Sequence, residues 1–155
     1  MKKVLLGAAV LAASVVWSSA AVSASDQGPL RCLAGMRAAL IRGRFSGVIV
    51  CSKKNATFTL VGRTTGDKFS IYDYRYRFLP AGGDVMHGGQ RVVVFRGSTY
   101  VGQYTMSPPP YVIVTMNGTH VVLQPTDTRE KVELDFSVQP PGEILVNGEI
   151  ETFYR

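Results

Sequence analysis

Tyr111-Val112-Ile113-Val114-Thr115-Met116-Asn117-Gly118-Thr119-His120-Val121-Val122-Leu123 is the stretch that decides the fold class. Two apolar, largely β-branched runs flank Asn-Gly. That dipeptide favours a two-residue type I′ hairpin turn, because both central residues must take positive φ. With Asn117 and Gly118 at those positions, Met116 stands opposite Thr119, Val114 opposite Val121 and Val112 opposite Leu123. Side chains alternate along a strand, so these six share one sheet face. Ile113 and Val122 meet on the other face, where His120 lies opposite Thr115.

The same signal recurs downstream, where residues 144–146 and 149–153 flank Asn147-Gly148. Between the two hairpins, Val132, Leu134, Phe136 and Val138 alternate with Lys131, Glu133, Asp135 and Ser137, the pattern of a half-buried strand. Pro140-Pro141-Gly142 ends it. Upstream, residues 47–51, 57–60, 69–78, 91–96 and 100–106 also read as strands. Val92, Val93, Val94 and Phe95 form a run suited to burial on both faces. Pro108-Pro109-Pro110 reads as a stiff polyproline connector, since proline cannot donate to a ladder. In 69–78, Phe69 and Ile71 fall out of phase with the aromatics that follow. That predicts a bulge near Ile71 or burial of both faces at the strand's start.

One segment has helical spacing. Leu30, Leu33, Met36, Leu40 and Ile41 recur over residues 29–42, Pro29 suits the first turn, and Gly43 reads as the stop. The expected fold is therefore mainly β: an antiparallel β-sandwich or small barrel of about eight or nine strands with one N-terminal amphipathic helix.

Residues 1–24 read as a cleavable signal peptide. Lys2 and Lys3 precede an apolar run ending near Trp17, and Val22 and Ala24 occupy the small-residue cleavage positions. The run is shorter than the about 20 apolar residues of a membrane span, and no second candidate follows in the mature chain. The pattern resembles bacterial export signals and implies a periplasmic or secreted protein. Residues 25–155 then form one exported β-rich domain. The whole chain carries +6, and +4 once the two leading lysines are removed. That balance leans towards an anionic envelope lipid or glycan, or an envelope protein. Scattered basic residues in an exported chain give nucleic acid no support. A membrane-inserted barrel conflicts with the charges at 131–137.

The two cysteines, Cys32 and Cys51, allow one intrachain disulfide, which an oxidising compartment favours. It would tie the helix to the first strand. Two buried thiols are the alternative, and without a CxxC spacing there is no redox motif.

Catalytic chemistry has little to stand on. Asp84 and His87 share a glycine-rich stretch, Ala81-Gly82-Gly83-Asp84-Val85-Met86-His87-Gly88-Gly89. It reads either as a hairpin connection or as the active-site loop of a small hydrolase. His120 reads as a strand residue. Two distant histidines do not make the three or four ligands of a zinc site, and no cofactor motif is present. The residues that stand out are Tyr72, Tyr74, Tyr76 and Phe78, which share one strand face, with Asp73, Arg75 and Arg77 on the other. Four aligned rings form either core packing or a platform for sugars or acyl chains. The expected function is a non-enzymatic exported β domain acting as a binding, inhibitor or accessory protein of the cell envelope. Tyr72, Tyr74, Tyr76, Arg75 and Arg77 are its candidate binding residues.

Overall fold

The computed structural model describes residues 36–155. The predicted signal peptide, residues 29–35 of the predicted helix, and Cys32 lie outside the described residues. In chain order the elements are α1 (Met36–Arg42), β1 (Ala56–Arg63), β2 (Ser70–Phe78), β3 (His87–Arg96), β4 (Thr99–Met106), β5 (Val112–Asn117), β6 (His120–Pro125), β7 (Val132–Asp135), β8 (Glu143–Val146) and β9 (Glu149–Thr152). Among the described residues nine strands make three antiparallel sheets in the orders β1-β2-β3-β4, β5-β6-β7 and β8-β9, and they do not close a barrel. None of the described helices is long and apolar enough to cross a membrane.

The four-stranded sheet is buried on both faces. Ile71, Val92, Val94, Tyr104 and Met106 pack against Val112, Val114, Val121, Leu123 and Leu134 of the three-stranded sheet, closing a sandwich core to which Ile144 and Val146 add. On the opposite face Tyr72, Tyr74, Tyr76, Val93, Phe95 and Tyr100 are covered by Leu40 of α1 and by Phe45, Ile49 and Val50. This accounts for the uninterrupted apolar run in β3. A strand with cover on both sides has no solvent face to alternate towards.

The β5–β6 hairpin forms, but with its turn one residue later than expected. Asn117 stays in the ladder opposite His120, and Met116, Val114 and Val112 face Val121, Leu123 and Pro125. Gly118 takes φ 62° while Thr119 keeps a negative φ, the glycine-first pattern of a type II′ turn. His120 thus faces Asn117 and, across β7, Asp135, rather than Thr115. The slip moves every pairing by two residues, so the core face is unchanged. A slip of one would have turned it outwards. At the second hairpin Val146 faces Glu149, and Asn147 and Gly148 take φ 53° and 78°, the expected type I′ geometry.

Three further local readings are corrected. Gly43 is not the left-handed residue that ends α1. Arg44 is, at φ 59°, with Phe45 N–H donating to Leu40 O and Arg44 N–H to Ile41 O in a Schellman arrangement. Gly43 serves close packing instead, because a Cβ there would stand 2.5 Å from Tyr100 Cδ1. Residues 47–51 are not a strand. At Pro108–Pro110 the two proline–proline bonds are cis, unlike the extended connector expected. The anticipated irregularity lies on the neighbouring strand. Leu60 faces Tyr72 and Gly62 faces Ile71, leaving Val61 as the extra residue, while Ser70, Ile71 and Tyr72 are all buried.

Candidate functional site

Strand alternation places Tyr72, Tyr74 and Tyr76 on the helix-side face of β2, as the sequence implies, and the structure buries all three. Tyr74 is 0 % exposed. Its ring stacks 4.9 Å from Tyr76 and lies 5.5 Å from Phe58 and 6.2 Å from Phe45, centroid to centroid. Its hydroxyl donates to Val48 O at 3.0 Å and accepts from Val50 N–H at 2.7 Å. One side chain thus supplies to this segment the bonds that a neighbouring strand would have supplied. The buried hydroxyl resists ionisation, and desolvation lifts its pKa to about 12. The aromatic row is core packing, and Tyr72 and Tyr76 also reach the walls of surface cavities.

The opposite face of β2 is less solvated than the sequence implies. Arg75 pairs with Asp73 at 2.9 Å and donates to Val112 O at 3.1 Å. Gln90, fully buried on β3, donates to Asp73 Oδ1 at 2.9 Å and to Val112 O at 2.6 Å, and accepts from Val112 N–H at 2.8 Å. Its amide reads the Val112 backbone as a strand would. This polar seam joins the two sheets where the apolar core ends.

Beyond the seam lies a cleft of about 260 Å³. The bond from Arg77 N–H to Asn55 O, 2.7 Å, sets the start of β1 beside the end of β2 and so brings Lys54 next to Arg77. Arg75 enters from the seam with its guanidinium 5.3 Å from the Tyr111 ring. Lys54, Arg75 and Arg77 line the cleft together with Asn55, Thr57 and Tyr111, and no carboxylate lines it. Lys54 and Arg77 are exposed, so their charges remain available to a ligand. The cleft sits in a strongly basic half of the molecule. Residues 36–96 hold 11 Lys and Arg against 3 Asp and Glu, whereas residues 97–155 hold 3 against 7. That reversal of sign is written in the sequence. Of the cleft residues, Arg75, Tyr76 and Arg77 were singled out from sequence, while Lys54, Asn55 and Tyr111 were not.

Asp84 lies in the exposed β2–β3 connection, and His87 is the exposed first residue of β3. His87 pairs with Phe78 at the mouth of the ladder, its ring 5.9 Å from the phenyl ring, and no hydrogen bond joins it to Asp84 among the described residues. Nor do any three His, Cys, Asp or Glu of the described residues gather as a metal site would require. No family model, curated protein or solved structure matches the chain significantly.

Proposed function

We propose that this chain is an exported, non-enzymatic binding protein of the cell envelope that holds an anionic group in the Lys54–Arg75–Arg77 cleft. The observation that carries this reading is a concave site lined by three cations, of which Lys54 and Arg77 are exposed and Arg75 is paired with Asp73, and by no carboxylate; residues 36–96, which supply all three, carry a net charge of +8. Arg75 is held in place by Asp73 and the Tyr111 ring, and a planar guanidinium suits the paired oxygens of phosphate or carboxylate. Export rests on residues 1–24. A Cys32–Cys51 disulfide would anchor the segment before α1 to the 47–51 loop, next to Tyr74. Phosphate on a lipid headgroup and carboxylate on an acidic glycan share the required chemistry.

Sedimentation with vesicles separates these sources. Vesicles containing anionic phospholipid should carry the protein down at low salt and release it at high salt, and zwitterionic vesicles should not. A soluble uronic-acid oligosaccharide that competes would assign the glycan, and one that does not would assign the headgroup. Arg77→Glu, at an exposed position, should abolish binding by either without changing the melting temperature. Equal binding by wild type and Arg77→Glu would overturn the reading.

A further inference from the structure

We infer that the outer edge of β1 is a docking edge for an acidic, extended polypeptide segment of a partner protein, which joins the sheet as a fifth strand. This does not rest on the anion cleft. Its basis is the direction of backbone groups. In an antiparallel ladder, hydrogen-bonded pairs alternate with pairs whose N–H and C=O point away. Arg77 N–H donates to Asn55 O, so the bonded pairs continue at Thr57–Arg75 and Thr59–Asp73 in the observed register. The N–H and C=O of Ala56, Phe58 and Leu60 therefore point outwards. Ala56 N–H is taken by Ser52 O at 2.8 Å. Among the described residues nothing takes those of Phe58 and Leu60.

Three other edges of the fold are guarded in part. Tyr154 exchanges two backbone bonds with Gln103 on the outer side of β4. On β5, the bond from Thr126 N–H to Tyr111 O sets the same alternation; its first outward residue, Val112, is sealed by Gln90, while the next two, Val114 and Met116, line the groove beside β1. β7 is four residues long and carries Glu133 and Asp135. Edges are usually protected in such ways, by charge, proline, brevity or cover. β1 is eight residues long and holds no charge or proline before its last residue, Arg63. Beside it runs an open groove of about 570 Å³ between β1 and β5, lined by Thr57, Thr59, Val61 and Val114, on the face where alternate side chains of an added strand would lie.

Charge selects the occupant. Lys53 and Lys54 precede the strand and Arg63 ends it. The groove's carboxylate, Asp73, is already paired with Arg75. A second copy of β1 is disfavoured in either direction. Antiparallel pairing sets Lys54 against Arg63, and parallel pairing sets Lys54 against Lys54. An incoming strand with carboxylates at both ends meets a cation at each.

The test uses a fluorescent peptide of β1's length, Glu-Glu-Thr-Val-Thr-Val-Glu-Glu, with a version carrying lysine for glutamate and one carrying proline at its second threonine. Amide exchange on the full protein should show Phe58 and Leu60 fast when free and slowed at least about tenfold when the acidic peptide is bound, with Thr57 and Thr59 slow throughout. The lysine and proline peptides should bind at least about tenfold more weakly, the loss expected for a missing charge pair or backbone bond. Leu60→Pro, which removes one outward N–H and an exposed side chain, should weaken the acidic peptide and leave anionic-vesicle binding intact. Arg77→Glu should do the reverse more strongly. Equal affinity for the acidic and proline peptides, or no protection of Phe58 and Leu60, would overturn strand addition. Concentration-dependent dimerisation that protects the same amides without peptide would overturn it in favour of a second copy.

Discussion

Replacing Tyr74 by phenylalanine and, separately, by alanine divides its two jobs. The ring is fully buried among Phe45, Phe58 and Tyr76, and truncating such a side chain costs about 3–5 kcal/mol. The hydroxyl pins Val48 O and Val50 N–H. Removing it strands one donor and one acceptor in a half-buried loop, at a cost of about 1–3 kcal/mol. For a domain of this size, 1 kcal/mol moves the melting temperature by about 4 °C. Tyr74→Phe should therefore melt several degrees lower than wild type and Tyr74→Ala more than ten degrees lower, by circular dichroism at pH 7. Amide exchange at Val50 should accelerate in both variants. The pH dependence follows from the same burial. An unfolded tyrosine ionises near 10, whereas folded Tyr74 keeps its proton to about 12. Its contribution is complete below pH 10 and is lost as pH rises from there through the folded value, because the unfolded chain releases its proton first. Tyr100 and Tyr104 are raised in the same direction by burial. All variants should weaken above pH 10, and wild type more steeply than Tyr74→Phe. A Tyr74→Phe melt within about 2 °C of wild type would show that the hydroxyl does not hold the loop, and a mild Tyr74→Ala would remove the ring from the core.

Gln90→Ala should cost about 2–4 kcal/mol in urea denaturation, because Val112 N–H is left buried without a partner and Val112 O keeps only Arg75. A loss below about 1 kcal/mol would mean that water enters the seam and replaces the amide. Cys32→Ser should lower stability by about 2–4 kcal/mol in protein recovered from an oxidising compartment. Alkylation of denatured, unreduced wild type should label neither thiol, and full labelling would dismiss the disulfide.

The features legible in the sequence were those that neighbouring residues decide together. Alternation in β2 and in β7 as far as Phe136, the glycine of each hairpin turn and the doubly buried run in β3 depend on strand period and local φ, and each appears where its residues place it, whereas Val138, beyond the end of β7, is exposed. Even there the β5–β6 turn moved by one residue, leaving Asn117 in the ladder opposite His120. What lay beyond the sequence was every feature set by a distant partner. Residues 47–51 have a strand's composition, yet a tyrosine hydroxyl about 25 positions away took their hydrogen bonds. Ring alternation put Tyr72, Tyr74 and Tyr76 on one face, but whether that face was a platform or a core depended on what lay over it, which only the packing of α1 and Phe45 decided. The cleft follows the same rule. Lys54, Arg77 and Tyr111 come from three separated segments, and they meet because a backbone bond at Asn55 and the Arg75 and Gln90 side chains on Val112 dock those segments together. Local backbone preference acts over a few residues and can be read from them. Charge and burial at a site are sums over neighbours in space, and those neighbours exist only once the sheets have packed.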